Sequence, residues 1–203
     1  MKPWHVIGLD LGQQSDPSAL CVLECASGPE PRYAVTHLRR WQLGTRYNVV
    51  VEDVKRLCST PPLSAPALVV DGTGVGAAVC DLFTQAGLPG RVLPVVITAG
   101  SRASADEDGR LLVPKKELVS VLQVLLQSRR LVVARGLPLA ETLGRELANF
   151  RVKVTAAGNE ELSAWRERDH DDLVLALALA AWVAERAARL APADEGGDTV
   201  VYT

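Results

Sequence analysis

Asp10 lies inside an apolar run, VIGLDLG, where an ionised carboxylate is costly unless it is paired, hydrogen-bonded or bound to a cation. Asp71 repeats the pattern at the end of ALVVD, and the C-terminal edge of a strand in an open sheet is where ligands gather. A third acidic position, Asp169-His170-Asp171-Asp172, immediately precedes the apolar stretch LVLALALAAWVA. Taken alone this cluster reads as a helix start, because the dipole favours acids there and they cap free N–H groups. Taken together, the three separated positions offer the carboxylates that hard divalent cations such as Mg2+ or Mn2+ require. Two such ions, about 3.5–4 Å apart across a phosphate, can activate water and stabilise the leaving oxygen, which is the chemistry of phosphodiester hydrolysis. Successive helical residues are turned by about 100°, so Asp171 and Asp172 cannot point the same way. Both stay candidates, with Asp172 favoured by the apolar register that follows it.

The elements that must carry these acids follow from pattern. Trp4 to Leu11, Ser18 to Cys25 and Arg32 to Trp41 are strand-like runs separated by Gly/Pro-rich breaks, most simply three antiparallel strands. Tyr47 to Leu57 places Val50, Val54 and Leu57 at helical spacing with charged residues opposite. Ala67 to Asp71 reads as a strand buried on both faces and Arg91 to Thr98 as another strand, with a helix between them from about Ala77 to Gln85, so the pairing on this side should be parallel. Residues Ala99 to Gly109 read as a mobile loop, Pro114 as the start of a helix through Gln127, and Leu131 to Ala134 as a short extended piece. Leu139, Leu143 and Leu147 mark another helix, Arg151 to Thr155 alternates like an edge strand, and a last helix runs from about Asp171 to Leu190. The expected fold is a single α/β domain over 1–190, a central mixed sheet flanked by helices, with 191–203 as a flexible acidic tail.

Other residues attract more than one reading. The GTGVG after Asp71 could cradle a phosphate at a helix start or simply shape the turn. His170 suits a ligand, a proton carrier or, on balance, a turn residue, while His5 and His37 sit in strands and take no role. Lys115, Lys116, Arg129, Arg130, Arg135, Arg166 and Arg168 are candidates for phosphate contacts, against the plain alternative of a solvated surface. Trp4, Trp41 and Trp182 read as packing residues, and Trp165 suits either packing or base stacking.

Composition narrows the classes. The chain has 203 residues, 48% of them hydrophobic, and a formal net charge of −2, which suits a packed globular domain and excludes a uniformly basic coat. The longest nearly uncharged apolar run, Leu173 to Ala184, is shorter than the roughly 20 residues a bilayer demands, and the amino terminus lacks the pattern of a secretory signal. A cytoplasmic protein without a membrane partner is expected. The four cysteines, Cys21, Cys25, Cys58 and Cys80, lack zinc-ligand spacing and read as buried thiols.

The ordered segments GLDLGQQSDPSAL, VVDGTGVGAAVCDL, VPKKELVSVLQVLLQSRRLVV, ELANFRVKVTAAGN and HDDLVLALALA resemble the nuclease domain of phage large terminase subunits, from about His5 to Ala184. The HDDLVLALALA segment, in order after both strand acids, is the most specific of them. The resemblance implies a ribonuclease H-like fold and a metal-dependent endonuclease that cuts concatemeric viral DNA during packaging. It also implies that Asp10, Asp71 and the Asp171–Asp172 pair bind two Mg2+ or Mn2+ ions, with Asp16 a secondary acid beside them. Lys115, in VPKKEL, becomes the first choice for a DNA backbone contact. Double-stranded DNA, a packaging ATPase, a small terminase subunit and a portal would be the partners, in the cytoplasm of the host cell. No GxxxxGKS/T phosphate loop occurs in this sequence, so the chain is not expected to package DNA by itself; an isolated domain, a split-gene product and a relative used for another purpose are all open. Competing readings are a Holliday-junction resolvase with the same acids, an ATP-binding domain like those of actin and sugar kinases, suggested by GLDLGQQS, and a non-catalytic nucleotide- or DNA-binding module of the same fold.

Overall fold

In the computed structural model the described residues are 3–12, 16–63, 65–73, 76–156 and 171–190. Their strands are β1 (Trp4–Asp10), β2 (Ala19–Ala26), β3 (Arg32–Arg40), β4 (Ala67–Asp71), β5 (Arg91–Thr98), β6 (Ser104–Ala105), β7 (Leu111–Pro114) and β8 (Leu131–Val133). Their helices are α1 (Tyr47–Cys58), α2 (Gly76–Gln85), α3 (Lys115–Gln127), α4 (Ala140–Ala156) and α5 (Asp172–Leu190). All eight strands join one sheet in the order β6-β7-β5-β4-β1-β2-β3-β8. The β1-β2-β3 meander is antiparallel, whereas β4 joins β1, β5 joins β4, β7 joins β5 and β8 joins β3 in parallel. This is the mixed sheet that the early turns and later crossovers predict.

Alternation along β1 sorts its side chains between two cores. Val6 joins one face with Ala19, Cys21, Val69, α3 and α5; Ile7 and Leu9 join the other with Val22, Val70, Val54 of α1 and Phe83 of α2. Because α5 is covered by the sheet and by α3 and α4, Leu173 to Trp182 is buried all round, as its unbroken apolar sequence requires. The helix lies against the backbone of β1 itself. A Cβ placed on Gly8 would stand 1.8 Å from the Ala176 carbonyl oxygen and 3.0 Å from the Ala180 nitrogen, so only glycine permits this approach.

Two elements differ from the sequence expectation. Arg151 to Thr155 is not a strand: the α4 backbone runs through Ala156, since a helix already established adds each further residue at little cost. Within the loop expected over Ala99 to Gly109, Ser104 and Ala105 pair antiparallel with Leu112 and Leu111 and form the edge of the sheet. Pro114 serves β7 and α3 together, its φ of −61° being compatible with the end of one and the start of the other. The acidic tail over 191–203 lies outside the described residues.

The far end of α5 is fastened by charge. Buried Glu185 accepts hydrogen bonds from Tyr33 Oη at 2.7 Å and from both Nη atoms of Arg130 at 2.7 and 3.1 Å, and Arg130 also donates to the Pro31 carbonyl. Burial pushes the Glu185 carboxyl up, but the hydrogen bonds from Arg130 and Tyr33, with the charges of Arg130 and Arg189, outweigh it and leave it below the ordinary range. A carboxylate held low stabilises the fold fully above its unfolded value of about 4.3 and loses that stabilisation as pH falls through the lower folded value. Arg130→Met strands a buried carboxylate and is expected to cost about 3 kcal/mol in urea denaturation at neutral pH. An unchanged midpoint would show that the pair contributes nothing.

All four cysteines are free and buried, with burial pushing Cys25 up to about 12 and Cys58 up to about 11. Trp41 and Trp182 pack as expected, donating from Nε1 to Asp53 and Glu117 at 2.9 Å each. No described helix is long and apolar enough to cross a membrane.

Candidate active site

The site begins in the register of the sheet. Leu9 of β1 lies opposite Val70 of the parallel strand β4, so the next position sets Asp10 beside Asp71, with the strands about 4.8 Å apart. On the other side Asp10 pairs with Ala19, and Ala19 with Arg40. One transverse row therefore reads Asp71, Asp10, Ala19, Arg40 across four adjacent strands. Val69, Val6 and Ala19 face the α5 core, and the period of two turns Asp71 and Asp10 to that same face.

Each strand acid is set by its own turn. Asp71 is 3% exposed, and its Oδ1 accepts the Thr73 N–H at 2.8 Å. Gly72 still donates to Val95 at 2.7 Å, and the Thr73 hydroxyl then accepts the Ile97 N–H at 2.8 Å. The side chain of Thr73 thus prolongs the β4–β5 ladder while its backbone holds the carboxylate, a local turn of the kind aspartate favours. After Asp10, the Gly12 N–H donates to Ser18 Oγ at 3.1 Å and the Gly12 carbonyl accepts from Tyr47 Oη at 3.0 Å. A Cβ on Gly12 would stand 2.0 Å from the Asp16 carbonyl oxygen, so the turn folds Asp16 tightly back toward the end of β1.

The third acidic position arrives with α5. Asp171 and Asp172 are buried, 8% and 5% exposed, at the start of the helix that crosses Gly8. Arg40, the last member of the transverse row, places Nη2 3.4 Å from Asp172 Oδ2. The same nitrogen donates to Oε1 of Glu146, a buried residue of α4, whose Oε2 accepts the N–H groups of Leu173 at 3.1 Å and Val174 at 3.2 Å. Burial pushes the Glu146 carboxyl above its ordinary range, against the opposing pull of Arg40 and the Val174 N–H.

The basic candidates part company. Lys115 opens α3 at the end of β7 and is buried at 9% exposure, whereas Lys116 beside it is exposed. Arg129 and Arg130 follow the other end of this 13-residue helix, about 20 Å away, and Arg130 is engaged by Glu185. Arg130 thus fastens α5 to the sheet side of α3 through Glu185. Asp169, His170, Trp165, Arg166 and Arg168 lie outside the described residues. Among the described residues, no three His, Cys, Asp or Glu side chains already stand close enough to hold an ion together. Asp71 and Asp10 lie in the row across the sheet, and Asp171 and Asp172 lie at the start of α5. Arg40, Glu146 and Thr73 were absent from the sequence candidates; only their tertiary contacts single them out.

No family model matches the chain. It is 30% identical over 181 residues to the large terminase subunit of Thermus phage G20c, an alignment covering 88% of this chain and 32% of that protein. The chain thus spans about a third of the length of this relative. The crystal structure of the large terminase nuclease from phage G20c with bound zinc matches 88% of this chain and 80% of its own, at 26% identity and a TM-score of 0.57. The nuclease domain of the large terminase from bacteriophage SPP1 with bound Mn covers 91% of this chain and 86% of its own, at 12% identity and a TM-score of 0.52, a likeness of fold. The ribonuclease H-like fold expected from the sequence is the one observed, and it is the fold of these nuclease domains.

Proposed function

Starting from this kinship with phage large terminase subunits, we propose that the chain is a metal-dependent DNA endonuclease that cuts concatemeric viral DNA during packaging, with residues 1–190 as its nuclease domain. One observation supports the reading: Asp10 and Asp71 each directly follow Leu9 and Val70, the last paired residues of the parallel strands β1 and β4, on the face covered by α5, at whose start Asp171 and Asp172 are buried. These are oxygen donors only, the set that suits Mg2+ or Mn2+, drawn from the ends of two strands and the start of one helix.

In this reading Asp10, Asp71 and the Asp171–Asp172 pair hold the ions, with Asp16 beside them on the β1–β2 turn. Two divalent ions, when bound, supply an activated water and charge stabilisation at the leaving oxygen. The protein's part is to hold the carboxylates still. Thr73 orients Asp71 through its N–H, and Gly12, gripped by Ser18 and Tyr47, fixes the turn after Asp10. Exposed Lys116, with Arg166 and Arg168 of the segment before α5, would meet DNA phosphates. Lys115, at the head of α3, stays the first choice for a DNA backbone contact. Phosphate contacts carry little base information, so sequence preference should be low. The partners on this reading are double-stranded DNA, a packaging ATPase, a small terminase subunit and a portal, within the host cytoplasm.

Purified protein incubated with supercoiled plasmid is expected to nick and then linearise it in Mn2+ or Mg2+, and to leave it intact in EDTA. Folded protein that cuts under neither metal would overturn the reading. Strong preference for four-way junctions over linear duplex would replace packaging with junction resolution.

A further inference from the structure

We propose that Arg40 and Glu146 are a positioning pair for the site: a clamp, drawn from β3 and α4, that fixes the first turn of α5 and so sets the direction in which Asp172 presents its carboxylate. The inference rests on the reading of Asp172 as a metal-binding acid and adds two residues that the sequence did not mark.

Glu146 is a buried acid close to the proposed ligands, and its hydrogen bonds show what it does. Oε1 accepts from Arg40, and Oε2 accepts from the backbone of Leu173 and of Val174. Both oxygens are engaged within the protein, which makes Glu146 a poor ligand and a good brace. Leu173 and Val174 are the second and third residues of α5, whose N–H groups the side chain just before a helix ordinarily caps. Here the cap comes from another helix, 27 residues earlier in sequence. The first turn of α5 is thereby tied to α4, and a carboxylate at that end also suits the helix dipole.

Arg40 completes the brace. Its Nη2 lies between Glu146 and Asp172, so one cation holds together two buried acids that would otherwise repel. Arg40 also belongs to the row that contains Asp10 and Asp71, through Ala19. The distance between the strand acids and the helix acid is therefore set by a chain of specific contacts: sheet register, then guanidinium, then helix start. Partners that orient metal-binding groups in this way typically change affinity about 10–100-fold when removed.

The test uses the full chain and Mn2+ alone, with free Mn2+ followed by electron paramagnetic resonance. Glu146→Gln keeps the shape of the side chain but loses the charge that holds Arg40, and it is expected to weaken Mn2+ binding about tenfold. The half-saturating Mn2+ for plasmid nicking should rise by the same factor, with most of the turnover rate returning at saturating metal. Arg40→Lys keeps a cation without the fork and should fall between Glu146→Gln and wild type. Arg130→Met loosens α5 at its other end and gives the measure of a purely structural defect: a lower melting temperature with wild-type Mn2+ affinity. If Glu146→Gln behaves like Arg130→Met, the pair only supports the fold and the proposal is overturned. If folded wild-type protein itself takes up no Mn2+, the nuclease reading falls and takes this inference with it.

Discussion

Asp71→Asn should reduce metal-dependent plasmid nicking by about a thousandfold or more while leaving the protein folded. The substitution keeps size and shape, and the amide oxygen can still accept the 2.8 Å hydrogen bond from Thr73. What is lost is the negative charge beside Asp10. Charge stabilisation by a bound ion is worth several kcal/mol in the transition state, and losing about 4 kcal/mol of it corresponds to about three orders of magnitude in rate. Stabilisation by added Mn2+ should shrink. Asp10→Asn is expected to behave alike, and a variant that still nicks plasmid at the wild-type rate would remove its residue from the mechanism.

Gly8→Ala is expected to be equally damaging for a different reason. The added methyl would lie 1.8 Å from the Ala176 carbonyl oxygen and 2.9 Å from its carbon, both backbone atoms in the second turn of a buried helix. Restoring an ordinary C···O separation of about 3.3 Å would require α5 to retreat by about 1.5 Å. Packed interiors resist such displacement, and overpacking of this severity belongs with the rare substitutions costing about 4 kcal/mol or more. Against a total stability of about 5–15 kcal/mol, much of the protein should unfold at modest temperature. Whatever stays folded should cut poorly, because the retreating helix carries Asp171 and Asp172. Thermal unfolding of Gly8→Ala within a degree of wild type would mean that α5 does not lie this close to β1.

Most of this architecture was legible because burial imposes pattern. The run from Ala67 to Asp71 has the length and apolar density of a strand covered on both faces, the run from Arg91 to Thr98 has the β-branched content of a strand, and both occur with those bounds. Arg151 to Thr155 misled because five alternating residues are too few to oppose a helix already under way. Ser104 and Ala105 are strand only by virtue of the partner they meet. The acids of the site stood out where they broke an apolar pattern, as Asp10 and Asp71 do. Glu146 breaks none: in GRELANF it reads as a surface acid of an amphipathic helix, and its burial depends on Arg40, more than a hundred residues away in sequence. The partner of Arg130 was equally hidden, since a lone arginine in the sequence does not announce the Glu185 it pairs with.

The order in which the row is filled has a consequence for the life of the chain on the ribosome. Asp10 and Asp71 emerge early, but Asp172 follows about a hundred residues later, an interval of about 5–20 seconds at ordinary rates of translation. Until α5 closes over Gly8, the nascent chain holds only part of the set of acids. On the proposed reading, a nascent chain that has not yet added α5 lacks Asp171 and Asp172 and leaves the DNA around it uncut.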